Sequence, residues 1–327
     1  MLRPRLATHD YRGRGFYFIT FSTEPRRQLL STITNCRIHL APEGEAVLEA
    51  WRRVPDDDPA YSLRYCAIMP DHFHGILVCE GEASMHLGRI VARLKGRSLQ
   101  AARRLRHDPH LRLWETDYHD LIAFSAATFD RFSAYVRDNP VRWQLRHDNP
   151  QWFRGHTGIA HPRLPAETQW TAYGDQTILD YPWLLPVVLS RRLEGEAMKA
   201  AVAEVVEQVR QGAVPIGGFI SPAERAVATA LAALPRARMI YMYPWGLAGY
   251  KPGGRVATER LATGRTLVLS GFPAEVDRVA TREHCLRNNA WARAIAAGLA
   301  PAAIARGASQ LAPAATPTEG KDRGAGH

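Results

Sequence analysis

Residues 14–23, RGFYFITFST, are an aromatic and β-branched run that predicts a strand. A helix over about 41–53 follows, then the acidic, proline-bounded DDDP loop (Asp56 to Pro59), then LRYCAIM as a second strand. The segment PDHFHGILVC reads as a tight turn leading into a third strand. From 84 to 106, apolar residues recur at helical spacing at Leu87, Ile90, Val91 and Leu94, and again at Leu99, Ala102 and Leu105; a break is expected at Gly96. LWETDYHDLIAF predicts a fourth strand, and a helix over about 127–138 should end at Asn139-Pro140. The order β-α-β-β-α-β-α predicts an α+β, ferredoxin-like split unit with an added helix over residues 1–150.

The pattern dissolves into Gly, His, Pro and Thr near Trp152 to Trp170, so 151–172 reads as a linker. A different rhythm follows. Apolar runs LLPVVLS, VPIGGF, RMIYMYP and RTLVLSGF alternate with helical stretches at 194–211, 222–234, 254–262 and 281–299. Continuous apolar strands separated by helices predict an α/β, doubly wound parallel sheet over 173–307. The stretch 308–327 has the composition of a disordered tail.

At 327 residues with 46% hydrophobic and 23% charged positions, the chain can bury two cores, which excludes fibrous or wholly disordered classes. The net charge of +10 is almost entirely arginine, since only Lys95, Lys199, Lys251 and Lys321 are lysines. Permanent planar cations suit an anionic partner such as nucleic acid, although a GC-rich genome would also produce them. Residues 1–150 carry 22 basic against 18 acidic side chains, so that half is nearly balanced outside one arginine-rich helix. Cys36, Cys66, Cys79 and Cys285 are widely spaced with no C-x-x-C pair, which suggests neither disulfides nor a thiolate zinc site and points to a reducing cytoplasm. No apolar run is long enough to span a membrane.

Three features carry candidate chemistry. His72 and His74 sit two apart on or beside a strand, so both imidazoles can face one cation; taken alone, they fit equally well as structural histidines. Tyr135 and Asn139 are one helical turn apart, so the phenol and the carboxamide share a face; a surface tyrosine and a helix-ending Asn are the plain alternative. Tyr118 and His119 compete with Tyr135 for the nucleophile's role. Arg89, Arg93, Lys95, Arg97, Arg103, Arg104 and Arg106 include no acidic residue among them, so this helix needs phosphates or a solvated face.

Taken together, YCAIMPDHFHGILV, LGRIVARLKGRS, LWETDYHDLIAF and FSAYVRDNPVRW resemble the single-tyrosine transposases of the HUH superfamily, most closely the REP-associated branch, over roughly residues 10–150. The resemblance implies a transposase-like endonuclease and strand transferase for structured, hairpin-bearing single-stranded DNA. In that reading Tyr135 is the nucleophile, His72, His74 and Asn139 hold Mg²⁺ or Mn²⁺, and the seven cations of the basic helix bind DNA. Asn139 stands where the family often has Gln, and Ala123-Phe124-Ser125 lacks the basic residue that relatives carry there. A domesticated, weakly or non-catalytic DNA-binding or regulatory protein is the alternative, and a monomer or a homodimer fits either.

The later segments YGDQTILDYPWLLPVVLSRR, VPIGGFISPAERAV and TREHCLRNNAWARAIA resemble the Rossmann-like domain of DNA-processing protein A-like proteins. Ser221-Pro222-Ala223-Glu224 is a capping box, so the preceding Gly217-Gly218 loop can offer backbone N–H groups to a phosphate or simply start a helix. Lys251 and Arg255 flank a Pro-Gly-Gly loop as further phosphate candidates. No Walker or G-x-G-x-x-G pattern supports an ATP or NAD site.

Overall fold

The computed structural model describes residues 9–276 and 278–298. The tail expected over 308–327 lies outside the described residues. Contacts divide the chain into two compact units: the described residues through Pro150 together with Pro252–Glu259, and Gln151–Lys251 together with the residues from Arg260 onward. Among the described residues no helix is long and apolar enough to cross a membrane.

The first unit contains β1 (Gly15–Ser22), β2 (Ser31–Thr34), β3 (Arg37–Leu40), α1 (Pro42–Arg52), the short α2 (Val54–Asp57), β4 (Tyr61–Met69), β5 (His72–Cys79), α3 (Leu87–Arg106), β6 (His119–Ala123) and α4 (Ala126–Asp148). Four strands form an antiparallel sheet in the order β4-β5-β1-β6. Alternation along β1 sorts its side chains. Tyr17, Ile19 and Phe21 enter a core with Trp51 of α1, Phe73 of β5 and Leu87, Ile90, Val91 and Leu94 of α3, while Phe18 faces the opposite side beneath Val136 of α4. The first core is held by aromatic contacts, Phe21 stacking on Phe73 at 4.9 Å and meeting Trp114 edge-on at 4.6 Å. Gly75 keeps Trp51 close to the sheet, because a Cβ there would lie 2.8 Å from its ring.

Four local expectations change. α3 runs unbroken through Gly96, whose missing side chain faces open space, because Leu94 and Ser98 on either side are buried and hold the turn. α4 likewise passes through Pro140 instead of ending at Asn139. A proline removes one helical N–H, but buried Val136, Asn139 and Arg142 anchor the helix on both sides of it. The fourth strand is shorter than LWETDYHDLIAF: Trp114 keeps only an isolated bridge to Thr23, and Lys95 Nζ takes the carbonyls of Glu115, Thr116 and Asp117 before the strand begins at His119. The β2-β3 hairpin was not anticipated; Asn35 and Cys36, both left-handed at φ of 52° and 61°, make its two-residue turn.

The elements that follow are α5 (Pro150–Phe153), β7 (His156–Ile159), β8 (Trp170–Gly174), a 3₁₀ turn (Gln176–Asp180), β9 (Leu184–Pro186), α6 (Gly195–Arg210), β10 (Val214–Gly217), α7 (Pro222–Ala232), β11 (Met239–Met242), α8 (Gly254–Ala262), β12 (Thr266–Ser270) and α9 (Arg282–Ala297); of these, Pro150 and Gly254–Glu259 belong to the first unit and the rest to the second unit. Its six-stranded mixed sheet has the order β7-β8-β12-β11-β10-β9, with β9 to β12 parallel and β7 and β8 antiparallel. The parallel strands therefore succeed one another without the reversal of order that defines a doubly wound sheet. Ile240 and Met242 face Trp291 and Ile295 of α9, whereas Met239 lies on the side of α6 and α7. Segment 151–172 is not an irregular linker, since it supplies β7 and the start of β8. Trp170 is fully buried against Trp291 and donates through Nε1 to the Pro165 carbonyl.

Candidate functional site

The pair His72 and His74 is built by a tight turn. Pro70 and Asp71 link β4 to β5, the Asp71 carbonyl accepts from both the N–H and the hydroxyl of Thr23, and the Pro70 carbonyl accepts from the N–H of Leu30. His72 is therefore the first residue of β5, and His74 follows on the same face, with ring centroids 4.6 Å apart. That face lies under α4. The Tyr135 ring meets His74 edge-on at 5.4 Å and Phe18 at 5.9 Å, and Phe18 stacks on His74 at 5.3 Å.

Each imidazole is fixed through Nδ1. His72 Nδ1 lies 2.5 Å from Asp71 Oδ1, and Arg26 Nη1 donates to Asp71 Oδ2 at 3.2 Å. The hydrogen bond from His72, opposed by partial burial and helped by Arg26, holds the Asp71 carboxyl down at about 2. An ionised carboxylate can only accept, so Nδ1 of His72 carries a proton and the Asp71 carboxylate orients the ring. His74 Nδ1 is 2.7 Å from Thr20 Oγ1, and its Nε2 is buried with no partner. Burial, reinforced by His72 and Arg142, pushes His74 well below the usual imidazole range, so it is neutral near pH 7.

On α4, Tyr135, Asn139, Arg142 and Arg146 stand at spacings of four, three and four, which aligns them along one stripe. Tyr135 is 39% exposed. The Asn139 carboxamide is buried with Nδ2 unpartnered. Arg142 places its guanidinium 4.6 Å from the centre of the Tyr135 ring, is 4% exposed, and leaves Nε and Nη1 without acceptors. Arg146 is partly buried with its Nε also unpartnered.

Two imidazoles on one strand face, each with Nδ1 held by a neighbouring side chain, have the arrangement that metal-binding histidines need, and the buried Nε2 of His74 has no hydrogen-bond partner among the described residues. No group of three or more His, Cys, Asp or Glu side chains gathers for metal binding among the described residues, so an amide such as Asn139 would have to complete the set. His119 lies opposite Thr20 in the β1-β6 pairing and is exposed, whereas Tyr118 packs with the core beneath α1 and α3. Thr20, Asp71, Arg142 and Arg146 were not anticipated from sequence. The visible signal for the two arginines is their spacing of seven and eleven from Tyr135.

The basic helix finds its counter-charges in distant parts of the chain. Asp57 accepts from Arg93 at 2.8 Å and from Arg97 at 2.6 and 2.5 Å, and Arg106 pairs with buried Glu43. Arg103 Nε donates to the Leu111 carbonyl, and Lys95 is occupied as described above. Arg89 and Arg104 are exposed.

In the second unit the N–H groups at the start of α7 are taken by a side chain of the helix itself. Glu224 Oε2 accepts from the N–H of Ile220 at 2.8 Å and of Ser221 at 3.0 Å, and Oε1 accepts from the N–H of Leu189 at 3.0 Å. Ser221 Oγ returns the bond by accepting from the N–H of Glu224. Gly217 is needed for packing, since a Cβ would sit 2.6 Å from the Val187 carbonyl oxygen, and Gly218 packs near the Asn288 amide. Arg255 is paired with Glu259 at 2.6 Å, and Lys251 is exposed. An open cavity of about 500 Å³ in this unit is lined by Tyr181, Arg210, Arg236 and Arg238 among others, with Arg238 over the Tyr181 ring.

No family model matches the chain. An uncharacterized protein of Haemophilus influenzae is 26% identical over 160 residues, which cover 43% of this chain and 88% of that protein. Among solved structures, a REP-associated tyrosine transposase bound to a REP hairpin is 17% identical, with a TM-score of 0.34 over 44% of this chain and 74% of that one. DNA processing protein A from Helicobacter pylori, described for its single-stranded DNA binding, is 20% identical, with a TM-score of 0.34 over 44% of this chain and 66% of that one. Likeness at this level assigns neither a family nor an activity.

Proposed function

We propose that this protein is a tyrosine-dependent, metal-assisted endonuclease and strand transferase for hairpin-bearing single-stranded DNA. The observation that carries the reading is the placement of an accessible phenol, Tyr135, directly on His74, whose buried Nε2 has no partner among the described residues. A phenol alone is a weak nucleophile; it needs neighbouring groups that stabilise negative charge.

The phenolic oxygen of Tyr135 attacks phosphorus in line, the phenolic proton passes to water, and the bond from phosphorus to the 3′-oxygen breaks. The departing 3′-oxygen takes a proton from water. The product is a 5′-phosphotyrosine link that conserves the phosphodiester, so a 3′-hydroxyl can reverse the step and join another strand. A Mg²⁺ or Mn²⁺ ion held by His72, His74 and Asn139 would polarise the phosphate and offset its charge. Asp71 and Thr20 hold the two imidazoles through Nδ1, which fixes their orientation and leaves Nε2 on the far side of each ring from these hydrogen bonds. Phe18 packs against both His74 and Tyr135 and limits their rotation. Arg89 and Arg104 are the α3 cations left for phosphates once the internal pairs are counted.

The test mixes labelled hairpin-bearing single strands with the full chain and Mn²⁺ and resolves covalent adducts on a denaturing gel. A wild-type adduct that Tyr135→Phe cannot form is expected. An adduct that persists in Tyr135→Phe would overturn the assignment, and salt-sensitive binding without any adduct would replace the enzyme reading with that of a DNA-binding protein.

A further inference from the structure

We infer that Arg142, with Arg146 one turn behind it, forms a built-in anion clamp that grips the phosphate next to Tyr135 without help from a metal. This rests on the reading that the ligand is single-stranded DNA. The two guanidiniums lie on the same stripe of α4 as Tyr135, and neither takes part in an ion pair among the described residues. Arg142 is more than nine-tenths buried, yet two of its nitrogens have no acceptor, and Arg146 has a buried Nε in the same state.

Such a pair is costly. Two like charges withdrawn from water and from acceptors destabilise the fold by desolvation and by mutual repulsion. Elsewhere the chain solves the same problem. Arg93 and Arg97 reach Asp57, Arg106 reaches Glu43, and the buried Arg260 donates through both Nη atoms to the carbonyls of Leu231 and Ala237, leaving Nε alone unpartnered. The stripe beside Tyr135 gathers unpaired donors on Asn139, Arg142 and Arg146, and a phosphodiester supplies the anionic oxygens to which a guanidinium fork donates in paired geometry. Proximity to the Tyr135 ring puts that charge where the oxyanion develops during attack.

The experiment measures binding of a single-stranded oligonucleotide by fluorescence anisotropy in EDTA, over a salt series, using the full chain carrying Tyr135→Phe so that no cleavage occurs. Arg142→Met and Arg142→Gln are compared with the Tyr135→Phe parent. Loss of one phosphate contact should reduce the slope of log affinity against log salt by about 0.7 and weaken binding about tenfold. Melting should move the other way, with Arg142→Met rising by about 2 to 4 °C because an unpaired buried charge is gone. An unchanged salt slope in either folded variant overturns the clamp, and so does failure of both variants to fold, which would make Arg142 a strut. If wild type forms no adduct but the slope falls, the transferase reading fails and the clamp stands. If the adduct forms and the slope is unchanged, the clamp fails alone.

Discussion

Two places in this chain look alike as phosphate sites on paper, the Tyr135 stripe facing His74 and the Gly217-Gly218 loop entering α7, and they differ in whether their donors are spent. At the α7 entry the N–H groups of Ile220 and Ser221 are closed by the Glu224 carboxylate, an anion the chain carries itself. The α4 stripe and the His74 ring it faces hold the reverse arrangement, with buried nitrogens on His74, Asn139, Arg142 and Arg146 that nothing among the described residues satisfies. A helix start that has met its own requirements is a structural joint. A buried cluster that has not done so is held open at a cost in stability, and a ligand is the physical reason to hold it open.

The largest effect that would break this contrast is on chemistry. Tyr135→Phe should lower adduct formation by about 10³-fold or more, read on denaturing gels against wild type, with the melting temperature little changed. Glu224→Ala tests the other side. It strands three backbone donors and removes half of a capping box, so urea unfolding should show a loss of about 3 kcal/mol; a loss under about 0.5 kcal/mol would mean those donors were never satisfied through the carboxylate. Asp57→Asn sharpens the comparison from the side of the basic helix, where charge is balanced internally. Its partners Arg93 and Arg97 are partly exposed, so the expected cost is about 1 to 2 kcal/mol by urea unfolding, smaller in high salt.

The smallest effect is on pH. Burial opposes the charge on Asp57 and Asp58, but Arg97 and Arg93 around the first, and the N–H groups of Met85 and Ala60 with the Ser84 hydroxyl around the second, hold both below the ordinary carboxylate value of 3.8. A carboxyl depressed in the folded state stabilises it above that value and loses the contribution as pH falls below it. Acid unfolding monitored by circular dichroism should therefore begin below about pH 4, and Asp58→Asn should flatten that limb while lowering stability at neutral pH.

Most of the elements and their order were readable from the chain because they depend on local rules. Aromatic and β-branched apolar runs located β1, β4 and β5, helical spacing of apolar residues located α3, and the Ser221 capping box located the start of α7 within a residue. The adjacency of His72 to His74, and of Tyr135 to Asn139, followed from strand and helix periodicity alone. The misjudged boundaries share one cause. Gly96 and Pro140 are weak helix formers, but buried neighbours on either side outweigh a local penalty of about 1 to 3 kcal/mol. The strands of 151–172 were hidden because β7 rests on β8, and β8 is held by pairing with β12 and by Trp170 meeting Trp291, partners more than ninety positions further on.

By itself, then, the sequence determined which side chains could do chemistry and which of them share an element, because helix and strand periods are properties of the local backbone. Only the tertiary structure decided which charges remain available. It took Arg93, Arg97 and Arg106 out of the basic face by bringing Asp57 and Glu43 to them, and it filled the α7 entry with Glu224. It also turned the Tyr135 stripe toward His74 and left Arg142 buried without an acceptor. Satisfaction of a donor depends on what the fold brings within about 3 Å, and no one-dimensional pattern encodes that distance.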